Sequence, residues 1–291
     1  MPDVETIDTF PSFLECWGRI RGLPVEEQVD RWLADFRAQW RDLAEKVEQS
    51  YAADGLEWRT VLRERVFPYL PERLPMMAEA WGMLREGCPR VRRAAQERLG
   101  LDFEVVFVLL AIGYGGWATE YGGTRACLLG LDTIAECDWA NPEALSGLVA
   151  HELGHLLHLE WRARRGLGGG QGPVWQVYEE GFAQRCEHLA LGGDTFHMQG
   201  GQEGWLAWCL AHQSWLAEQF LSTVAAGEPV YRFFGSWPEC TIEGRREMGH
   251  FLAHQVVAEW QAELSLRDIA LLTTDEVDRG VRETLQKMAA G

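Results

Sequence analysis

His151-Glu152-Leu153-Gly154-His155 constrains this chain more than any other stretch, because H-E-x-x-H gathers two imidazoles and a carboxylate only when wound into a helix. At roughly 100° per residue, side chains four apart share one helical face about one turn apart. Both imidazoles then reach a single metal ion, and Glu152 stands beside the water that such an ion holds. A carboxylate in that position accepts the water's proton as hydroxide attacks a carbonyl, and later returns it to the leaving amine. The spacing therefore predicts a hydrolytic zinc site with Glu152 as general base.

The flanking residues agree with a buried helix. Asn141-Pro142-Glu143 offers an N-cap, a proline at the first helical position and an acid in the first turn. Leu145, Leu148, Val149, Leu153, Leu156, Leu157 and Leu159 give a broad apolar surface, and Arg162, Arg164 and Arg165 before Gly166 suit a helix C-terminus.

Zinc needs a third protein ligand and a fourth position left to water. His158 shares the face of His151 and His155 but lies a further turn along, so it reads as a packing residue or a hydrogen-bond partner of a ligand. Glu160 points to the opposite face. The next predicted helix, Val174 to Leu191, carries Tyr178-Glu179-Glu180-Gly181-Phe182-Ala183, where either glutamate can supply the ligand. Gln184 and Glu187 share the face of Glu180 and are placed to steady His151 or His155. Gly181 and Ala183 are small enough for two helices to approach closely.

This pairing resembles the gluzincins, zinc peptidases whose H-E-x-x-H helix is followed by a helix that supplies a glutamate. The E-G-F-A run of Glu180 to Ala183 is similar to the N-E-G-F-A run of the zinc aminopeptidases. It is also similar to the E-G-x-A run of a bacterial family described only as predicted zinc-dependent proteases, the closer match, since no amine-capturing G-x-M-E-N segment precedes His151. The resemblance covers His151 to His188 and implies Glu180 as third ligand, with Glu179 as the fallback. It further implies one Zn2+ per chain and a zincin-like catalytic domain. Downstream, Glu243 to His254 is similar to the G-Y-x-x-G-Y segment of the same proteases, with Arg245 and His250 replacing its tyrosines. That likeness makes His250 and Arg245 candidates for stabilising an oxyanion, with Tyr231 as competitor.

Phe103 to Leu110 reads as a buried strand and Thr124 to Leu131 as a second, the candidate edge strand for an extended peptide. The glycine-rich run Gly113 to Gly123 between them reads as a loop, and Gly166 to Gly172 as a connector or flap. Val25 to Tyr51, Gln202 to Val224, Gly244 to Leu264 and Thr274 to Met288 read as helices, with Pro68, Pro71, Pro75 and Pro89 punctuating turns.

Twenty-seven basic residues against 44 acidic ones, net −17, argue against a nucleic-acid or anionic-membrane partner. Arg85, Arg90, Arg92, Arg93 and Arg98 alternate with apolar residues and read as a solvated helix face. Most of the fourteen tryptophans belong in a core or a cleft wall. Seven cysteines without C-x-x-C suggest reduced thiols. Met1 to Phe13 lacks an apolar signal core, and no apolar run reaches about 18 residues, so the expectation is a cytoplasmic protein. Together these features predict a helix-rich α+β protein with a small mixed or antiparallel sheet beside the H-E-x-x-H helix. Its organisation would be an N-terminal helical region, 1–100, and a catalytic domain, 101–291, with sheet 101–135, ligand helices 141–191 and C-terminal helices 202–291. The function expected is zinc-dependent hydrolysis of a peptide or protein substrate. A catalytically idle zincin acting as a binding module and a hydrolase of a non-peptide amide or ester are the alternatives.

Overall fold

The computed structural model describes residues 5–237 and 239–291; residues 1–4, the start of the acidic stretch Met1 to Phe13, lie outside the described residues. The chain forms two compact units, each assembled from separated segments: Met1–Glu86 with Phe103–Asn141, and Gly87–Asp102 with Pro142–Gly291. The strands therefore share a unit with the N-terminal helices, and the H-E-x-x-H helix belongs to the other.

The first unit holds β1 (Thr6–Asp8), α1 (Phe10–Ile20), α2 (Val25–Gln39), α3 (Arg41–Ala53) and α4 (Trp58–Val61). A π turn, Leu62–Val66, and a 3-10 turn, Phe67–Tyr69, then lead into the long α5 (Leu70–Leu99). The run Val25 to Tyr51 is two helices, not one: Trp40, at φ −134° and ψ 52°, breaks it. Both halves keep the helical period, so the hydrophobic pattern carries no mark of a one-residue break. Three of the prolines expected to punctuate turns, Pro71, Pro75 and Pro89, lie inside α5. Its stripe of Met77, Ala80, Leu84, Cys88, Val91, Ala95 and Leu99 is buried at three- and four-residue spacing. That continuous burial outweighs the single backbone bond an interior proline omits. Arg85, Arg90, Arg93 and Arg98 lie on the exposed side of the same helix.

One small mixed sheet follows, built from β1, β2 (Val105–Leu110), β3 (Trp117–Tyr121) and β4 (Thr124–Gly130), in the order β1-β2-β4-β3. β1 and β4 run parallel to β2, and β3 runs antiparallel to β4. Two expectations are corrected here. Thr124–Gly130 is not an edge strand, because it is hydrogen-bonded to β2 on one side and β3 on the other. The glycine-rich run is not all loop, because β3 lies within it and turns into β4 through Gly122 (φ 60°) and Gly123 (φ 81°). A two-residue hairpin needs that left-handed backbone at both central positions, which glycine adopts without strain. α6 (Leu131–Glu136) follows β4 directly, and the N-terminal helices of this unit bury an aromatic cluster in which Trp32 stacks on Phe36 at 5.1 Å and meets Trp58 at 5.5 Å.

The second unit adds α7 (Pro142–Ala163), α8 (Pro173–Leu191), α9 (Trp205–Ala211), α10 (Gln213–Ala225), α11 (Tyr231–Phe234), α12 (Met248–Trp260), α13 (Leu266–Ala270) and α14 (Thr274–Ala290). Gln202 to Val224 is again two helices, parted at His212 (φ −116°). The helix expected from Gly244 starts only at Met248, since Glu243, Gly244 and Glu247 all have positive φ, which an α-helix excludes. Capping boxes at Ser265/Asp268 and Thr273/Glu276 fix the starts of α13 and α14. Arg162, near the end of α7, is buried. Its guanidinium donates to the carbonyls of Gly168, Ala270 and Leu272, which ties the glycine-rich connector to the turns around α13.

The protein is thus a helix-rich α+β chain with one small mixed sheet. Six of its tryptophans are buried and the other eight half-buried, so none stands fully in solvent. All seven cysteines are buried thiols. Among the described residues no helix is long and apolar enough to cross a membrane.

Asp132 yields a test of the first unit. It is 2% exposed, accepts the Gly113 N–H at 2.8 Å, and burial pushes its carboxyl up to about 7. The unfolded chain gives up that proton near pH 4, so the native state binds more protons between about pH 4 and 7 and stability falls as pH rises through that window. Asp132→Asn keeps the acceptor and removes the charge. Its Tm advantage over wild type should grow from about pH 5 to about pH 8, and an equal difference at both pH values would rule out this account.

Candidate metal centre

α8 packs against both α7 and α12, and small residues set how closely. A Cβ on Gly154 of α7 would stand 2.6 Å from Cys186 Cβ and 3.0 Å from Ala183 Cα. A Cβ on Gly181 of α8 would stand 2.1 Å from the Ala253 carbonyl oxygen of α12. The 2.6 Å and 2.1 Å approaches are closer than real Cβ atoms come, so glycine is required at each crossing. Gly181 thus serves the contact with α12, whereas the sequence suggested that Gly181 and Ala183 serve a single helix pair.

Close approach brings four polar side chains together. His151 Nε2 lies 3.1 Å from His155 Nε2 and 3.1 Å from Glu180 Oε2. Glu180 Oε2 is also 3.3 Å from His155 Nε2 and 3.3 Å from His250 Nε2. Tetrahedral coordination with bonds of about 2.0 to 2.1 Å separates neighbouring donor atoms by about 3.3 Å. The donor set and its spacing therefore fit a divalent ion of zinc's size and preferences. His151, Glu180 and His250 also form a set of potential ligands among the described residues. Glu179, the fallback, is half-buried and belongs to no such set.

Burial and pairing compete here. Burial pushes the His151 imidazole down to about 3. Burial also opposes the His155 cation, but the carboxylates of Glu180, Glu152 and Glu179 override it and lift that ring to about 9. Glu180 is held well below the usual carboxylate range, because His155, His151 and His250 outweigh the cost of burying its charge. Without a cation the cluster is held together by one carboxylate shared among imidazoles. Glu152 is 6% exposed and close enough for its charge to act on His155.

Of the three oxyanion candidates, only His250 is brought within hydrogen-bonding range of Glu180. Its Nδ1 faces the Glu247 carbonyl at 3.2 Å, and its ring packs edge-on against Phe234 at 5.4 Å. The Arg245 guanidinium lies over the Trp208 ring at 4.8 Å, outside α12. Tyr231 is 54% exposed. His158 is spent elsewhere, with Nε2 donating to the Tyr178 hydroxyl at 3.0 Å while that hydroxyl donates to the Ile269 carbonyl at 2.7 Å. Gln184 donates to the Thr195 carbonyl at 2.8 Å. Glu187 does turn toward a ligand, with Oε2 4.0 Å from His151 Nδ1.

Sequence reasoning missed His197, in the 3-10 turn His197–Gln199, whose ring meets that of His151 edge-on at 5.0 Å. No periodic pattern marks it, and its residue type was the only available signal. Comparison with family models, curated proteins and solved structures finds no match to this chain.

Gly181→Ala tests the crossing. Its methyl meets a backbone carbonyl that has no rotamer to escape into, so a loss of about 1–3 kcal/mol of stability is expected, with weaker retention of added zinc because Glu180 is displaced. Wild-type melting and zinc affinity in this variant would refute the close-approach argument.

Proposed function

We propose that this chain is a zinc metallopeptidase of gluzincin type, hydrolysing peptide bonds in a peptide or protein substrate. The observation that carries this reading is the convergence of His151 Nε2, His155 Nε2 and Glu180 Oε2 to within 3.3 Å of one another. That trio has the composition of a catalytic rather than a structural zinc site, two histidines and one carboxylate. Beside it stands Glu152, a carboxylate that holding a metal does not require. Zinc, when bound, acidifies water and polarises a carbonyl.

The chain's own residues supply the rest. His151, His155 and Glu180 would hold the ion. Glu152 takes the proton from the attacking water and delivers it to the leaving amine. His250 is oriented by the Glu247 carbonyl, which accepts from Nδ1. As a cation it presents an Nε2–H to the negative charge that develops on the substrate oxygen.

Purified protein should hold about one zinc per chain. Glu180→Ala should lose most of it while Glu179→Ala keeps it, and full retention in Glu180→Ala would exclude Glu180 as a ligand. Glu152→Gln should retain zinc yet hydrolyse casein or a peptide library at least about a hundredfold more slowly. Zinc-loaded wild type inactive on every peptide pool would argue for a binding module instead. His250→Phe should lower kcat by roughly ten- to a thousandfold with little change in KM or zinc content. A change confined to KM would assign His250 to substrate positioning.

A further inference from the structure

Behind the proposed ligands lies a second polar group that the hydrolytic reading does not use. Glu187 is fully buried and makes two contacts with one residue: Oε1 accepts the backbone N–H of His197 at 3.1 Å, and Oε2 pairs with His197 Nδ1 at 2.9 Å. The same Oε2 is 4.0 Å from His151 Nδ1, a buried nitrogen with no hydrogen-bond partner. Gly147 leaves the room for this group. A Cβ there would stand 2.7 Å from Glu187 Oε1 and 2.9 Å from His197 Cβ.

The proton count of an imidazole decides what the group does. A neutral ring has one N–H and one lone pair. If His151 gives the lone pair of Nε2 to a metal, Nδ1 keeps its proton, and a buried N–H needs an acceptor. Glu187 Oε2 faces it, already steadied from behind by His197. His151, Glu187 and His197 also form a set able to hold a cation. A second ion there, however, would require Nδ1 of His151 to lose its proton while Nε2 remained a ligand.

We propose that Glu187 and His197 are a positioning pair for His151, with Glu187 accepting the His151 Nδ1–H in the loaded site and His197 fixing the carboxylate. This rests on the zinc reading above. The pair acts through His151, fixing its tautomer and ring orientation, and so tunes how tightly the metal is held.

The test is zinc titration of metal-free protein against a chelating dye, with metal content by mass spectrometry and imidazole 1H–15N spectra of the zinc-loaded protein. Glu187→Gln, which keeps an acceptor without the charge, should bind zinc up to about tenfold more weakly, and Glu187→Leu about ten- to a hundredfold more weakly. His197→Phe should fall between wild type and Glu187→Leu. Wild type itself should show His151 as the Nδ1–H tautomer with a slowly exchanging downfield proton, a readout that holds even if a variant fails to fold. One zinc per chain that needs Glu180 but is held equally by wild type and Glu187→Leu overturns this inference and leaves the zinc reading standing. Two zinc ions per chain, one of them lost in Glu187→Leu, replaces the positioning role with a second metal site. A wild type that binds no zinc overturns both.

Discussion

A half-buried carboxylate shared among imidazoles from two other helices is the interaction on which the packing around α8 turns. Withdrawing most of the Glu180 side chain from water is costly unless its charge is met, and it is met by His151 and His155 from α7 and His250 from α12. Hydrogen-bond range tolerates only tenths of an ångström, so the requirement passes to the helix axes. Those axes come close because Gly154 and Gly181 carry no side chain at the crossings. The chemistry of the site and the packing of the helices are thus one constraint seen at two scales.

The sequence made the inner part of this arrangement legible and left the outer part hidden, for a physical reason. His151, Glu152 and His155 are fixed relative to one another by the helical repeat alone, and Glu180 is singled out from Glu179 only by the gluzincin resemblance. Glu187 was visible only as a residue on the face of Glu180. His197 reaches His151 through a short 3-10 turn whose geometry no periodicity encodes. Arg245 is named from the resemblance alone, and positive φ at Glu243, Gly244 and Glu247 turns the chain there so that the guanidinium lies on Trp208.

The fold shows the same division. Long amphipathic or buried helices, α7, α8 and α14, were placed within a residue or two because each buries a continuous stripe. The misreadings cluster where one residue redirects the chain without changing its pattern: Trp40 between α2 and α3, His212 between α9 and α10, and Gly122-Gly123 between β3 and β4. The order of the sheet is a non-local property. Thr124–Gly130 looks like an edge strand until Trp117–Tyr121 is known to pair with it, and nothing in its own residues tells an inner strand from an outer one.

Histidine illustrates how roles are assigned once structure is known. All eight histidines lie in the second unit, and residue type cannot separate them. What each ring's nitrogens face can. His158 directs Nε2 to the Tyr178 hydroxyl, whose own proton goes to Ile269, so that nitrogen is not available to a metal. His250 directs Nδ1 to a carbonyl, which only accepts, so Nδ1 carries a proton and Nε2 is a lone pair in the neutral ring and a donor in the cation. His151 has Nε2 in the cluster and Nδ1 before a carboxylate, the pattern of a ligand held by a group behind it. Metal capture would make these assignments firmer. A cation at the cluster would favour the lone-pair form of His151 Nε2, and its proton then belongs on the far nitrogen, where Glu187 already stands.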